Sequence, residues 1–268
     1  MESPDASASP FATLLYDVDG DGVCTVTLNR PDKLNAINTR VLADLQRALR
    51  QARADDAVRG VVLTGAGDRA FAAGAGNEQF TALDALAGHR FALRGQAVFG
   101  AVEQMPKPVA AAVNGFALGG GCELALACHL RVASETAQFG QPEVSLGLIP
   151  GYGGTQRLPR LVGHGIATEL ILTGDRIDAR RAYEVGLVNH VAAPEALLDV
   201  AKDLVKRIAS KAPLAVAMAL QALRSTDLPQ AQGLQMEAAL FGQCCGTEDF
   251  QEGVHAFLNK QPPEFRGR

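Results

Sequence analysis

Paired cysteine spacing is missing from this chain. Its five cysteines are odd in number and none forms a CxxC pair, so a disulfide framework and a cysteine-based zinc site are both unexpected. The five histidines contain neither HxxxH nor HExxH, and no metal is expected. Basic excess is also lacking. With 25 Lys and Arg against 29 Asp and Glu, the formal net charge is −4, which argues against a surface built to neutralise nucleic-acid phosphates. No apolar run reaches the roughly 18–20 residues that span a bilayer, and Met1-Glu2-Ser3-Pro4-Asp5 has neither the basic nor the apolar region of an export signal. A cytoplasmic protein without a membrane partner is the expectation. What the chain does have is 268 residues, 47% hydrophobic and 20% charged, enough to bury a full core.

Residues 1–12, rich in Ser, Ala, Pro and Asp, read as a flexible leader. Two β-rich runs, Thr13 to Val18 and Val23 to Leu28, flank Asp19-Gly20-Asp21-Gly22, whose residues tolerate positive φ and predict a hairpin. Val41, Leu42, Leu45, Ala48, Leu49 and Ala52 recur at helical spacing. Short apolar runs at 60–64, 109–113 and 130–134 alternate with helical stretches near 89–102 and 122–128, a rhythm that predicts an α/β fold with mostly parallel strands. The segments 65–76 and 141–154 read as loops rich in glycine. Beyond about Ala193 only helical periodicity remains, so we divide the chain into an α/β core over 13–200 and a helical C-terminal region over 201–268. No sequence repeat of fixed period is visible.

Gly119-Gly120-Gly121 immediately precedes a helix of small residues, where free N–H groups and the positive end of the helix dipole favour a developing anion. Ala72-Ala73-Gly74-Ala75-Gly76, also small residues after a strand, offers a second source of such donors. A Gly-rich turn before a helix is also a common packing device, so these runs alone do not fix a function. Gly65-x-Gly67-x-x-Ala70 with Asp84 resembles a dinucleotide fingerprint, but that motif should open a long helix and the residues that follow read as loop. Glu123 starts the small-residue helix and Glu143 lies in the next Pro/Gly-rich segment. Each alone is most simply a surface or first-turn charge. Together beside those glycines they suit an acid and a base, since like charges in one pocket push their pKa values apart.

With these residues in place, the chain resembles the enoyl-CoA hydratase/isomerase (crotonase) superfamily over nearly its whole length. The resemblance is carried by Leu28-Asn29-Arg30-Pro31 and Lys33-Leu34-Asn35-Ala36, by Ala70 to Ala75, and by Lys107 to Gly115. It continues through Ala117 to Ala125, Gln138 to Glu143, Gly147 to Gly151, Gly153 to Leu158 and Leu172 to Asp175. It implies a spiral of repeated ββα units with a helical C-terminal trimerisation region, assembled as a homotrimer or a dimer of trimers. It implies an oxyanion hole at the N–H groups of Ala75 and Gly120, with Glu123 activating water and Glu143 donating to Cα. Lys33, Leu34, Ala36, Ala73, Gly74, Ala75, Gly119 and Gly120 would contact the acyl-CoA thioester, joined by Phe241 and Lys260. No separate cofactor is implied, because coenzyme A belongs to the substrate. One departure is that Gly76 stands where the family usually carries Asp.

Retention of both glutamates points to an enoyl-CoA hydratase, a hydro-lyase adding water to a trans-2-enoyl-CoA. Isomerisation of an enoyl-CoA, hydration of an aromatic or branched acyl-CoA, and CoA binding without turnover stay open at this level.

Overall fold

The computed structural model describes residues 10–74, 81 and 83–268. Most of the expected leader and the Ala75-Gly76 pair therefore lie outside the described residues. Phe11 is buried, its ring centroid 5.8 Å from that of Tyr16.

The hairpin joins β1 (Leu14–Val18) to β2 (Val23–Leu28), antiparallel and in register from Leu14↔Leu28 to Val18↔Cys24. Its turn is held by the Asp19 carboxylate, which accepts from the N–H groups of Asp21 at 3.1 Å and Val23 at 3.0 Å. Next comes α1 (Thr39–Ala54), capped by Asn38, whose side chain accepts from the Val41 N–H. The six apolar positions read from the sequence are all buried on its inner face.

Three ββα units follow. The first is β3 (Gly60–Gly65), β4 (Ala70–Ala73) and α2 (Ala85–Glu103). The second is β5 (Val109–Val113), β6 (Phe116–Leu118) and α3 (Gly120–Ala127). The third is β7 (Leu130–Ser134), β8 (Gln138–Gly140), a 3₁₀ turn over Pro142–Leu146, and α4 (Gly154–Val162). The first strand of each unit enters a six-stranded sheet and the second a four-stranded one. The large sheet runs β1-β2-β3-β5-β7-β10 and the small one β4-β6-β8-β9, where β9 is Arg176–Asp178 and β10 is His190–Ala192. Between successive units all pairing is parallel.

Two side-chain amides, that of the buried Asn35 and that of the half-buried Asn114, make the step from one sheet to the other. Asn114, just past β5, accepts from the Gly65 N–H at 3.2 Å and donates to the Gly65 and Gly67 carbonyls at 3.0 and 2.8 Å. Asn35 donates to the Ala66 and Ala70 carbonyls at 3.0 and 2.8 Å. Between them these side chains hold the backbone of the 65–70 loop, whose buried Gly65 and Ala70 carbonyls are thereby partnered. The fingerprint reading of that loop fails here, because it delivers a strand, β4, where a helix would be required.

Two layers of apolar side chains cover the sheets. The larger core lies between the two sheets and helices α1 to α3. A smaller one sits beneath α7 (Leu197–Ala209), whose Leu197, Ala201 and Val205 pack on Val62, Ala110 and Val132 of the large sheet. Before α7 come α5 (His164–Thr173) and α6 (Ala179–Glu184), and after it α8 (Pro213–Arg224), α9 (Gln230–Cys245) and α10 (Glu248–Leu258). No described helix is long and apolar enough to cross a membrane.

Candidate active site

A cavity of about 610 Å³ opens where the small sheet meets the starts of α3 and α4. Ala73, Gly74, Gly119, Gly120, Glu123 and Glu143 all line it. Gly119 is the hinge of the site. Its φ of +53° lets the chain leave β6 and enter α3 directly, and a Cβ there would lie 2.8 Å from Glu143 Oε1. The N–H of Gly119 is spent on the Gly140 carbonyl at 2.9 Å. Gly120 follows as the first residue of α3, where helix geometry supplies its N–H with no acceptor. On the opposite wall the N–H of Ala73 bonds the Leu34 carbonyl and that of Gly74 the Leu118 carbonyl, both at 2.9 Å. Ala75, which the resemblance implies as the second donor, is not among the described residues.

Glu123 lies in the first turn of α3 and is only 2% exposed. Its Oε1 accepts from the N–H groups of Tyr152 at 2.8 Å and Gly154 at 2.7 Å. Gly154 opens α4, so the carboxylate also faces the positive end of a second helix. Burial nonetheless dominates: it pushes the Glu123 pKa up from 4.5 to about 7, while the two N–H bonds and Arg157 pull the other way. Glu143 sits on the 3₁₀ turn and is half-buried; burial first, then the charge of Glu123, raises it to about 7 as well. The fully buried Gln141 amide faces the Glu143 carboxylate, and with its nitrogen turned inward it donates to both oxygens at 3.1 and 3.2 Å. A Cβ on Gly154 would meet the end of the Gln141 amide at 2.8 Å and Glu123 Cγ at 3.1 Å, so the two glutamates and Gln141 enclose one small space.

The support for Glu123 is not something residue spacing revealed. Arg157 donates to the Tyr152 carbonyl at 2.8 Å and pairs with Glu103 at 3.1 Å, which locks the 151–154 loop against α2. Only the density of glycine in Gly151-Tyr152-Gly153-Gly154 hinted that backbone amides are presented there. The other sequence candidates lie apart from the cavity lining. Lys33 is exposed, while Leu34 (φ +49°) and Ala36 are half-buried in a turn that abuts the site through the Ile37 N–H, 3.1 Å from the Gly74 carbonyl. Phe241 on α9 is 70% exposed, and Lys260 follows α10 on the surface with φ +55°. Cys122 and Cys128 are buried packing residues of α3 and its end. Among the described residues, no group of three or more His, Cys, Asp or Glu side chains is placed to hold a metal ion.

Comparison with known proteins adds an independent line. A family model described as enoyl-CoA hydratase/isomerase matches residues 19–268. The short-chain-enoyl-CoA hydratase of Clostridium acetobutylicum is 45% identical over 92% of this chain and 95% of its own length. The crotonyl-CoA hydratase of Syntrophomonas wolfei is 47% identical over 89% and 92%. The crystal structure of an enoyl-CoA hydratase from Bacillus anthracis superposes with a TM-score of 0.92 at 40% identity, covering 96% of this chain and 100% of the other.

Proposed function

The chain belongs to the enoyl-CoA hydratase/isomerase family, and from that premise we propose that it hydrates a trans-2-enoyl-CoA with Glu123 and Glu143 as its acid–base pair. The observation that carries this reading is the pair of carboxylates, Glu123 buried and Glu143 half-buried, each raised to about 7 and sharing one cavity with the free end of α3. Two such groups near neutral pH hold about one proton between them, which is the state that a concerted hydration uses.

The substrate thioester oxygen sits against the N–H groups of Gly120 and Ala75. These stabilise the enolate-like oxyanion that develops as the double bond is attacked. A water between the carboxylates loses a proton to Glu123 and adds its oxygen at Cβ, while Glu143 delivers a proton to Cα. One water O–H bond and the C=C π bond break, a C–O bond forms at Cβ and a C–H bond at Cα, and the proton Glu123 gains balances the one Glu143 gives up; the product is a 3-hydroxyacyl-CoA, and no cofactor takes part. Such acid–base assistance contributes about 10²–10⁴-fold each. A tethered, buried Glu123 favours hydration over isomerisation, which needs no water-activating base.

CoA itself is assigned to the turn of Lys33, Leu34 and Ala36, supported by the bond from that turn to Gly74. Phe241 and Lys260 are assigned to the same ligand across a subunit boundary of a homotrimer or dimer of trimers, supported by the apolar faces that α9 and α10 leave exposed. The names of the two relatives point to short enoyl chains. The test is turnover of crotonyl-CoA with product identification: 3-hydroxybutyryl-CoA supports the proposal, and a shifted double bond without hydration replaces it with isomerisation.

A further inference from the structure

Tyr152 does more than lend its N–H to Glu123. The residue is 1% exposed and its ring packs on α2, 5.2 Å from Phe91 and 5.3 Å from Phe99. Gly95, on the same helix, is the notch that admits it: a Cβ there would collide with three ring carbons of Tyr152. Gly95 costs α2 helix propensity, so an exchange of helix stability for ring volume is built into this position. The flanking residues fix the same seam. Gln96 donates to the Gly151 carbonyl at 2.9 Å, and Phe91, Ala92, Gly151 and Tyr152 all border the cavity that holds the glutamates. The ring therefore fills the space that would otherwise prolong this cavity past Glu123 and into the α2 seam.

We propose that Tyr152, seated in the Gly95 notch, is a specificity-determining residue that ends the acyl pocket just beyond the reacting carbons and restricts this chain to short, unbranched enoyl-CoA substrates. This rests on the hydratase reading of the same site and names its substrate class. The pocket wall there is apolar, so the discrimination is steric. The tyrosine hydroxyl, buried without a hydrogen-bond partner among the described residues, contributes nothing to it.

The experiment compares kcat/KM for crotonyl-, hexenoyl-, octenoyl- and decenoyl-CoA in the native protein, Tyr152→Ala, Tyr152→Leu and Tyr152→Phe. Removal of the ring should raise the octenoyl-to-crotonyl ratio by at least about tenfold, the discrimination that one or two methylenes command in an apolar pocket. Tyr152→Phe should keep the native ratio. Gly95→Ala should lose activity and thermal stability by displacing the ring, and Gly95→Ala/Tyr152→Ala should regain both, a coupling that a purely local helix effect would not give. Tyr152→Leu keeps the test decisive should Tyr152→Ala fail to fold. An unchanged length ratio in the folded Ala or Leu variant, or a shifted ratio in Tyr152→Phe, overturns the inference while crotonyl-CoA turnover upholds the hydratase reading. Absence of turnover by the native protein on every thioester overturns both.

Discussion

Burial without neutralisation is the feature that makes Glu123 and Glu143 useful. An exposed glutamate is ionised at neutral pH and donates nothing, whereas these two titrate together at about 7. Hydration needs one proton on the pair. At low pH both are protonated and no base remains; at high pH both are ionised and no acid remains. The kcat/KM for an enoyl-CoA should therefore be bell-shaped with its maximum near neutrality, and a profile flat from about pH 5 to 9 would exclude this pairing. Stability carries the opposite burden. Glu123 titrates near 4.5 when unfolded and at about 7 when folded, so the folded chain holds the extra proton between those values and loses stability as pH rises through that window. Glu123→Gln keeps a carbonyl oxygen for the Tyr152 and Gly154 N–H groups but cannot ionise. Its melting temperature should exceed the native value by more at about pH 8 than at about pH 5, read by thermal denaturation at both.

At the scale of elements, three loops passing from the large to the small sheet bring the site together. α3 starts in the space between Gly74 and Glu143 because only glycine can occupy position 119 with that φ and that neighbour. Gly119→Ala is expected to cost about 1–3 kcal/mol of stability in denaturant titration and to lower kcat/KM more than tenfold, because Glu143 and the Gly120 N–H must both shift. Much of this layer was legible in the sequence: β1, β2, β5, β7, α1 and the helices after Ala193 follow their apolar periodicities closely. β4, β6 and β8 were not. They are three or four residues long, too short to display a period of two, and β4 lies within the 65–76 segment that reads as a loop. Their parallel pairing comes from the turns at Asn114-Gly115 and Asn35, a constraint visible only once the two sheets are set side by side. The glutamates were legible through the glycines beside them, whereas the role of Tyr152 was not, since nothing in sequence spacing connects it to Gly95.

Across the whole molecule, the C-terminal helices are the least buried part. Leu234, Phe241, Phe257 and Leu258 are exposed, with Phe257 at 82%, and the only buried hydrophobic residues of α8 to α10 are Leu240 and Ala256. So much unpartnered apolar surface on one region suits subunit contact. If the homotrimer proposal holds, Phe241→Glu/Phe257→Glu should sediment as a smaller species than the native protein; an unchanged assembly would move the interface elsewhere.

The most direct measurement of the central claim is steady-state hydration of crotonyl-CoA by Glu123→Gln, Glu143→Gln and the double variant, each checked for a native fold. On the proposal that the two groups act on one water as a unit, each single variant should lose at least about 10²-fold in kcat, and the double variant should lose little more than the worse single one. Native turnover in either single variant would contradict the account.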